Sequence, residues 1–304
     1  MNKFKIIFFL LLFISCIYPQ DTTYLIFDEP CQNSLPVHFR TSGDSLRINT
    51  DSMPDTNGLG MLKASGSAEF CDLNLPVMKE KINNSKLTIV DLRQESHGFV
   101  NGICVSWYGK YDWGNVGLSR QEIVTDEKHR LDSLYNVKNI SVTQILKKDK
   151  ATNEITESIQ ETLEVKTVQN EKELTGKFNL GYFRITATDH RKPVNEDVDR
   201  FIEFVNSLEN DTWLHFHCHA GDGRTTTFLA MYDMMRNAEK VSLNDILQRQ
   251  YLLGGIDLAK DDDYPDFDKK YAIERTKFLG DFYEYCRNNP DNYKTSYTEW
   301  LSRK

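Results

Sequence analysis

The sequence predicts an α/β protein with a functional loop at the end of a buried strand. An apolar, β-like run that contains Trp213, Leu214 and Phe216 leads into a loop with two glycines, and a helix-like pattern follows from Thr225. A second apolar run, residues 87–90, also ends in polar side chains. Because ligand sites in α/β sheets form at the carboxyl ends of the strands, we expect these polar groups to lie together there.

The chain after the loop has the pattern of a series of helices. Ser242 to Asp245 has the spacing of a capping box and begins a helix that ends at Gly254 and Gly255. The other predicted helices cover about residues 196–208, 225–238 and 266–288. We therefore assign residues 35–304 to the main domain.

Residues 139–180 have a different pattern. Apolar side chains alternate with period two, and polar turns interrupt them at residues 149–153 and 170–173. This pattern predicts a small antiparallel β unit at about residues 136–180. The alternative is an elaborated hairpin that belongs to the main sheet.

The N-terminus is typical of an export leader. Lys3 and Lys5 precede an apolar run over residues 6–14, which is too short to span a bilayer as a stable anchor. Residues 12–16 resemble a permissive bacterial lipobox that ends at Cys16.

The predicted location follows from this leader. We expect a leader with a lipobox over residues 1–16, a tether that leads into the first strand over residues 17–34, and an exported protein that is either secreted or attached to the cell envelope through a lipid on Cys16. A simply cleaved leader, in which Cys16 is incidental, is the alternative.

Composition favours an enzyme and argues against a nucleic-acid-binding protein. The 304 residues are 39% apolar, enough for a substantial core, and the net charge is −8. Loss of the two leader lysines would change that charge from −8 to −10. A polyanionic ligand would therefore have to be attracted by local basic groups and not by the whole molecule.

The cysteines do not have the spacing of a dense disulfide framework. Five of them follow Cys16, at positions 31, 71, 104, 218 and 286. Because five is an odd number, at least one thiol must remain free unless the chain pairs with another molecule.

The loop from Cys218 to Arg224 has the composition of an anion-binding cup. Gly221 and Gly223 let the backbone turn its N–H groups inward, and the following helix adds the positive end of its dipole. The other loop residues that would line a phosphate site are His219, Ala220 and Asp222.

Cys218 lies at the bottom of that cup in this interpretation. The N–H groups, the helix N-terminus and Arg224 would all stabilise its thiolate, which is a nucleophile toward a bound phosphoryl group. Arg224 would hold two phosphate oxygens with its planar fork, and a hydroxyl of Thr225 or Thr226 would donate to the sulfur when it becomes the leaving group.

Each of these features also has a plainer interpretation. A cysteine before an apolar helix is usually a small buried side chain, and a loop with two glycines is usually only a turn. Here the cysteine, both glycines, the arginine six positions later and the adjacent threonine occur together at the end of a strand. This combination favours the functional interpretation.

A phosphoryl transfer from an alkyl ester also needs a general acid, because an alkoxide leaves poorly without a proton. Asp189 is the candidate, since it follows a β-like run and precedes a polar loop that Pro193 ends. The alternative is that Asp189 caps the next helix, although Pro193 and Asn195 are better placed for that. His190 would orient the acid or contact phosphate, or would simply be a packed loop histidine.

Separated blocks of the chain resemble one family. The loop with its flanks, the Thr-Asp-His of residues 188–190, and blocks at 39–42, 64–67, 91–98, 105–109 and 112–113 are similar to the bacterial protein-tyrosine-phosphatase-like inositol phosphatases, the cysteine phytases. The resemblance implies a tyrosine-phosphatase-like central sheet flanked by helices, with a small partial barrel. It also implies hydrolysis of inositol polyphosphates through a phosphocysteine, with Asp189 as the acid and with no metal or other cofactor.

The same resemblance implies a substrate contact for Arg40, which alone would more often be a surface ion-pair residue. Lys277 is a further candidate, although the alternative for it is a solvated helix face. Arg93 is expected to be structural and tied to a carboxylate, and Asp112 and Trp113 to line the pocket.

Two other functions stay open at this point. One is a protein tyrosine or dual-specificity phosphatase, and the other is a non-catalytic phosphate-binding surface module. The acidic Asp222 works against a polyanion unless its side chain points away, which leaves substrate preference open. A module without catalysis would be expected to have lost Cys218 or Asp189, and both are present.

Overall fold

The computed structural model describes residues 23–47, 53–149, 152–260, 266–289 and 291–304, and it confirms the α/β class. The strands are β1 (Tyr24–Phe27), β2 (Arg40–Thr41), β3 (Ala64–Ser67), β4 (Leu87–Asp91), β5 (His97–Val100), β6 (Ile103–Tyr108), β7 (Asn139–Lys148), β8 (Ile155–Glu164), β9 (Val168–Gln169), β10 (Gly181–Arg184) and β11 (Trp213–His217). The α-helices are α1 (Asn74–Ile82), α2 (Arg120–Leu134), α3 (Glu171–Lys177), α4 (Asn195–Ser207), α5 (Gly223–Asn237), α6 (Leu243–Leu252), α7 (Asp266–Arg287) and α8 (Tyr297–Ser302).

The central sheet has the order β10-β4-β11-β3-β2, in which only β2 is antiparallel to its neighbour. Its middle strands, β4 and β11, are buried along most of their length, as expected for strands covered on both faces. His217 at the end of β11 pairs with Asp91 at the end of β4. The segments that follow these two strands therefore begin side by side at the carboxyl edge of the sheet.

A second sheet has the order β8-β7-β1-β6-β5-β9, and all its pairs are antiparallel except β1 with β7. It contains the long β7–β8 hairpin of the predicted β unit at 136–180, but it also recruits strands from residues 24–27 and 97–108. Strand β1 lies within residues 17–34, where the sequence analysis expected a tether and the first strand. Ile26 in β1 is only 1% exposed.

The predicted turn at residues 170–173 is also corrected, because it begins helix α3. Asn170 accepts a hydrogen bond from the backbone N–H of Glu173, and the Glu173 carboxylate accepts one from the N–H of Asn170. This reciprocal pair is a capping box, so polar residues that resemble a turn here begin a helix. The helices α4, α5, α6 and α7 match the predicted ones to within two residues at each end.

Helix α5 packs unusually close to the central sheet because β3 is built from small residues. A Cβ atom added to Gly66 would lie 2.7 Å from the Thr225 methyl carbon and 2.9 Å from a Leu229 methyl carbon. A larger residue at position 66 would push α5, and with it the start of the helix after Cys218, away from β3. The main hydrophobic core lies between this sheet and helices α4 to α7.

The described cysteines form one disulfide, between Cys31 and Cys71, which ties the segment after β1 to the residues before α1. Cys104, Cys218 and Cys286 are free and buried, as the odd count required. The leader and Cys16 lie outside the described residues. Among the helices of the described ranges, none is long and apolar enough to cross a membrane.

Candidate active site

The segment from Cys218 to Arg224, here called the Cys218 loop, connects β11 to α5 as predicted. Helix α5 begins at Gly223, so its N-terminal N–H groups belong to the loop, and Cys218 is only 2% exposed. Gly221 has a φ of +77°, in the left-handed region that glycine adopts without strain. An added Cβ atom there would lie 2.3 Å from the backbone nitrogen of Ala68. The loop thus passes directly over the end of β3, and only glycine fits at position 221.

The sulfur of Cys218 has a hydroxyl partner. Thr225 Oγ1 lies 3.2 Å from Cys218 Sγ in a donating geometry, and Thr225 is fully buried in the first turn of α5. Of the two threonines expected to donate to the sulfur, Thr225 is the one that makes this contact. Thr226 Oγ1 instead donates to the Asp222 carbonyl oxygen and accepts from Arg40 Nη2.

Arg224 is fixed by a carboxylate from the segment that follows the neighbouring strand β4. Its Nη1 and Nη2 donate to the two carboxylate oxygens of Glu95 at 2.7 and 2.9 Å, and Nη1 also donates to the Ala187 carbonyl oxygen. Burial would raise the pKa of Glu95, but Arg224 and Arg93 outweigh it and lower that pKa far below the usual range. The two-point contact fixes the plane of the guanidinium group, which phosphate binding requires.

Glu95 is held in turn by Arg93, which confirms the structural role predicted for that arginine. Arg93 Nε donates to Glu95 at 2.8 Å, and its Nη1 donates to both Asp28 and Glu69 at 2.7 Å. All four side chains are fully buried. Neither Glu69 nor Asp28 was identified from the sequence, because nothing local in their segments indicates a partner so distant along the chain.

Asp189 reaches the loop from the segment between β10 and α4, here called the Asp189 loop (residues 185–194). Its Oδ1 lies 3.0 Å from Arg224 Nε, and its Oδ2 lies 3.3 Å from His190 Nε2. Trp113 Nε1 donates to the Asp189 carbonyl oxygen at 3.0 Å. Asp189 does not cap α4, whose N-cap residue is Val194 with no side-chain bond. The acid candidate therefore lies beside the arginine that would hold the phosphate.

Arg40 lies near the Cys218 loop, but it is buried beneath it. It is 3% exposed, and its guanidinium donates to the His38 carbonyl oxygen and to Thr226 Oγ1. Burial lowers its pKa to about 10, although the negative charges of Cys218 and Asp222 oppose that shift. A contact between Arg40 and a substrate phosphate stays a prediction, whereas its support of the loop is visible.

The two variable loop positions, 219 and 222, are both paired with residues outside the loop. His219 Nδ1 lies 2.9 Å from Asp112 Oδ2, and Asp222 Oδ1 lies 3.1 Å from His38 Nδ1. The Ala220 carbonyl oxygen, also of this loop, lies 3.0 Å from the same His38 nitrogen. Asp222 therefore has a partner, His38, that the sequence did not reveal.

Lys277 does not face the loop. Its side chain is 81% exposed and pairs with Asp281 one turn along α7, which is the alternative of a solvated helix face. Arg275 of the same helix is the residue that approaches the loop, since a Cβ on Gly223 would lie 3.7 Å from Arg275 Nη1. Residues two apart in a helix point about 200° apart, so one helix cannot bring both side chains to the loop.

Other cationic and aromatic side chains lie near the expected pocket residue Trp113, and two of them, Tyr271 and Lys148, were missed because they come from distant elements. The Arg191 guanidinium stacks 4.3 Å over the Trp113 ring and 5.2 Å from the Tyr271 ring. Lys148, at the end of β7, lies 3.9 Å over Tyr108, and burial lowers its pKa despite attraction from Asp112 and other carboxylates. Asp112 and Asp189 are among these carboxylates, so the positive charge of Lys148 acts on residues of the site.

Three ligand atoms at the site have a spacing that would suit a metal ion. Atoms of Glu95, Asp112 and His219 lie within 4.8 Å of one another. Glu95 is already paired with Arg224 and Asp112 with His219, so the donor set serves ion pairs inside the protein. These contacts fit a phosphate-binding site that uses arginine and backbone N–H groups.

A separate cavity of about 570 Å³ lies away from this site. It is lined partly by Lys63 and Thr212, which precede β3 and β11 and so mark the amino-terminal edge of the central sheet. Ligands of α/β sheets bind at the carboxyl edge, where Cys218 and Arg224 lie. We therefore assign function to the Cys218 loop and not to this cavity.

The site combines a buried cysteine in a glycine-containing loop before a helix, an arginine fixed by a carboxylate, and an aspartate beside that arginine. This combination is typical of a cysteine-dependent phosphatase. A family model for PTP-like phytases matches residues 90–236, and the description of that model is inositol hexakisphosphate. A PTP-like phytase structure from Bdellovibrio bacteriovorus is 32% identical with a TM-score of 0.73, and the match covers 94% of this chain and 97% of that one. The chain belongs to the PTP-like phytase family.

Longer relatives are similar as well. A PTP-like myo-inositol phosphatase structure from Mitsuokella multacida, in complex with myo-inositol-(1,3,4,5)-tetrakisphosphate, is 37% identical with a TM-score of 0.86. That match covers 93% of this chain and 48% of the Mitsuokella chain. The effector protein hopD2 of Pseudomonas syringae pv. tomato is 28% identical over 93% of this chain and 61% of its own length. The chain thus spans about half to three fifths of these two relatives.

The close approach at Gly221 gives a direct test of the loop geometry. We expect Gly221→Ala to lower kcat/KM by about 10²-fold for any phosphate ester, because the new methyl group would displace loop N–H groups that must point at phosphate. The loss should appear together with weaker competitive inhibition by inorganic phosphate. Gly223→Ala is the matched control, since its methyl group meets only Arg275 Nη1 at 3.7 Å. Equal effects of both substitutions would contradict the proposed close fit at Gly221.

Proposed function

We propose that the chain is a phosphoric monoester hydrolase that removes phosphate from inositol polyphosphates through a phosphocysteine intermediate. The observation that carries this proposal is the convergence of Cys218, Arg224 and Asp189 at one edge of the sheet, with Arg224 Nε 3.0 Å from Asp189 and its Nη atoms fixed by Glu95. A nucleophile, a phosphate-binding group and a proton donor are thus all present.

In the first step, the Cys218 thiolate attacks phosphorus and forms an S–P bond. The bond between phosphorus and the inositol oxygen breaks, and that oxygen takes a proton from Asp189 and leaves as a hydroxyl. Arg224 and the loop N–H groups stabilise the charge that spreads over the equatorial oxygens.

In the second step, a water molecule attacks the phosphocysteine. Asp189, now a carboxylate, takes a proton from that water, the S–P bond breaks, and inorganic phosphate leaves. Thr225 Oγ1, 3.2 Å from Cys218 Sγ, donates to the sulfur as it regains its negative charge. Both partners are then in their starting protonation states.

The substrate class is supported by the family and by local charge. The Mitsuokella relative was solved with an inositol tetrakisphosphate, and here Arg191, Lys148 and Arg275 surround the site in a chain whose net charge is −8. A protein tyrosine or dual-specificity phosphatase is the second candidate. Phosphate release from inositol hexakisphosphate, compared with release from a phosphotyrosyl peptide in the presence of a chelator, separates the two. A clear preference for the peptide would contradict the inositol assignment.

Export to an oxidising compartment is part of the proposal. The Cys31–Cys71 disulfide supports it, because such bonds persist mainly outside the cytoplasm. Lipidation at Cys16 would then anchor the protein in the cell envelope. We expect Cys16→Ala to move the protein from the membrane fraction to the soluble exported fraction. Recovery of the unaltered chain in the cytoplasm would contradict export, and an unchanged distribution of the variant would contradict lipidation.

The nucleophile is tested by Cys218→Ser. A serine hydroxyl is a far weaker nucleophile than a thiolate, so turnover should fall by about 10³-fold or more, while the loop N–H groups still bind phosphate. Turnover and binding of an inositol phosphate are measured on the same preparation. Retained turnover would contradict the phosphocysteine route, and normal binding without turnover would exclude misfolding as the cause.

The general acid is tested by the leaving group. Asp189→Asn should lower kcat/KM for an inositol phosphate by about 10²-fold to 10⁴-fold, because the alkoxide has lost its proton donor. An aryl phosphate, whose phenolate leaves without that help, should lose less than about tenfold. The ratio of the two losses is the measurement. Equal losses would remove Asp189 from this role and leave the nucleophile assignment unaffected.

A further inference from the structure

His219 has a contact that the chemistry described so far does not use. It directly follows Cys218, and its Nδ1 lies 2.9 Å from Asp112 Oδ2, while its Nε2 lies 3.7 Å from Asp28 Oδ1. Asp112 is 6% exposed and belongs to the turn over residues 109–114 that follows β6. The residue next to the nucleophile is therefore tied to a segment of the other sheet.

The 109–114 turn is strained. Tyr111 and Asp112 both have positive φ, +62° and +58°, which is a costly conformation for two consecutive residues other than glycine. The two ends of the turn almost touch, since a Cβ on Gly109 would lie 2.7 Å from the Gly114 nitrogen. Such backbone strain persists only where the surrounding contacts enforce it.

The same turn also contacts the Asp189 loop. Trp113 Nε1 donates to the Asp189 carbonyl oxygen at 3.0 Å, and the Arg191 guanidinium stacks on the Trp113 ring at 4.3 Å. The Tyr111 ring meets His190 edge to face with their centroids 6.0 Å apart. Three consecutive turn residues thus face the active site, one toward His219 and two toward the Asp189 loop.

We propose that His219 and Asp112 form a positioning pair, which sets the Asp189 loop relative to the nucleophile through Trp113. The inference rests on the proposed role of Asp189 as the general acid. Neither His219 nor Asp112 touches the reacting atoms in this mechanism. Their contribution is to fix the distance between the proton donor and the leaving oxygen, where an error of about 1 Å costs on the order of 10²-fold in rate.

The charges around the pair favour a lasting contact at neutral pH. Burial would lower the pKa of His219, but Asp112 and Asp28 outweigh it and raise that pKa to about 9, against an opposing effect of Arg93. Burial raises the pKa of Glu29, and the positive charge of His219 opposes that shift. Since the folded pKa is above the usual 6.5, the stabilisation is complete below pH 6.5 and is lost as the pH rises through about 9.

Asp112 depends on this partner. Its other oxygen, Oδ1, is buried and has no hydrogen-bond partner among the residues that the structure describes. Without His219 the carboxylate would be buried with neither oxygen bonded, a state that costs several kcal/mol unless the turn moves or a proton binds. Loss of His219 should therefore displace the 109–114 turn and, with it, Trp113 and the Asp189 loop.

The test uses matched substitutions at position 219. His219→Leu keeps the bulk and removes the donor, whereas His219→Asn keeps an N–H near the position of Nδ1. We expect His219→Leu to lower kcat/KM for inositol hexakisphosphate by about tenfold to 10²-fold and for an aryl phosphate by less than threefold. His219→Asn should restore most of the loss. Inhibition by inorganic phosphate should be unchanged, because the Cys218 loop itself remains intact.

Coupling through Trp113 is tested by a double-mutant cycle. Trp113→Phe removes the N–H that bonds Asp189, so Trp113→Phe combined with His219→Leu should lose no more than the larger single loss if both act through one path. Losses that multiply would overturn the inference, and so would equal losses on both substrates or no rescue by asparagine. If His219→Leu fails to fold, Trp113→Phe carries the test alone, because it removes the N–H that bonds Asp189 and must lower activity on the inositol substrate more than on the aryl substrate.

One further variant separates the inference from the proposed function. Asp189→Asn must itself lower kcat/KM for the inositol substrate more than for the aryl substrate. If it does not, the assignment of Asp189 as the general acid fails, and the positioning role of His219 fails with it. If Asp189→Asn discriminates and His219→Leu does not, only the positioning pair is wrong. The two failures therefore give different results in one set of measurements.

Discussion

The ion pair between Arg224 and Glu95 is the contact on which the rest of the site depends. Both guanidinium Nη atoms bind the carboxylate, and the remaining Nε lies 3.0 Å from Asp189 Oδ1. Arg93 Nε also donates to Glu95 Oε1, at 2.8 Å. A buried ion pair of this kind contributes little net stability, because desolvation offsets most of the attraction. Its value is geometric, because it fixes both Nη atoms of Arg224 and so sets the orientation of the guanidinium group.

The parallel pairing of β4 with β11 makes that contact possible. His217 and Asp91 are paired at the ends of these strands, so the segments that carry Cys218 and Glu95 begin next to each other. The sheet thereby converts two distant stretches of sequence into one site. A shift of register by one residue would reverse the faces of every side chain at that edge and separate Arg224 from Glu95.

Three histidines at alternate positions in and after β11, His215, His217 and His219, have different pKa shifts because their surroundings differ. Burial lowers the pKa of His215 well below its usual value, and the ring lies between the hydroxyls of Ser65 and Ser67. Burial acts the same way on His217, but Glu171 and Glu69 outweigh it and raise that pKa to about 9. His219 behaves like His217 because of Asp112. No property of the His-x-His-x-His pattern distinguishes a neutral ring from two charged ones.

This difference explains which parts of the molecule could be predicted. The strand, the Cys218 loop and helix α5 are contiguous, so glycine, cysteine and arginine at fixed spacing identify them from local sequence. Asp189 was identifiable because general acids need a carboxylate on a loop beside the site. The partners of strand β1 were not identifiable, since its pairing with β6 and β7 joins segments that are far apart in the sequence.

The same limit applied to the partners of the loop. Asp112 is 107 residues from His219, and His38 is 184 residues from Asp222, so no window of sequence contains either pair. Lys277 was favoured over Arg275 because helix phase relative to a loop elsewhere in the chain cannot be set from charge alone. Contacts between separate helices, strands and loops depend on how the sheets assemble. The local sequence shows which residue types are present but not which of them will meet.

Flanking segments also contact the rim of the Cys218 loop. Asp222 is 40% exposed at the rim, where an unpaired carboxylate would repel a polyphosphorylated ligand, and the His38 ring lies 3.1 Å from it. The segment that carries His38 is fixed in turn by Arg40, whose Nη1 donates to the His38 carbonyl oxygen. Arg40 thus acts on the rim through the backbone as well as through its own charge. Substrate preference in such a site follows from these supports together with the loop sequence, because they decide which loop charges a ligand meets.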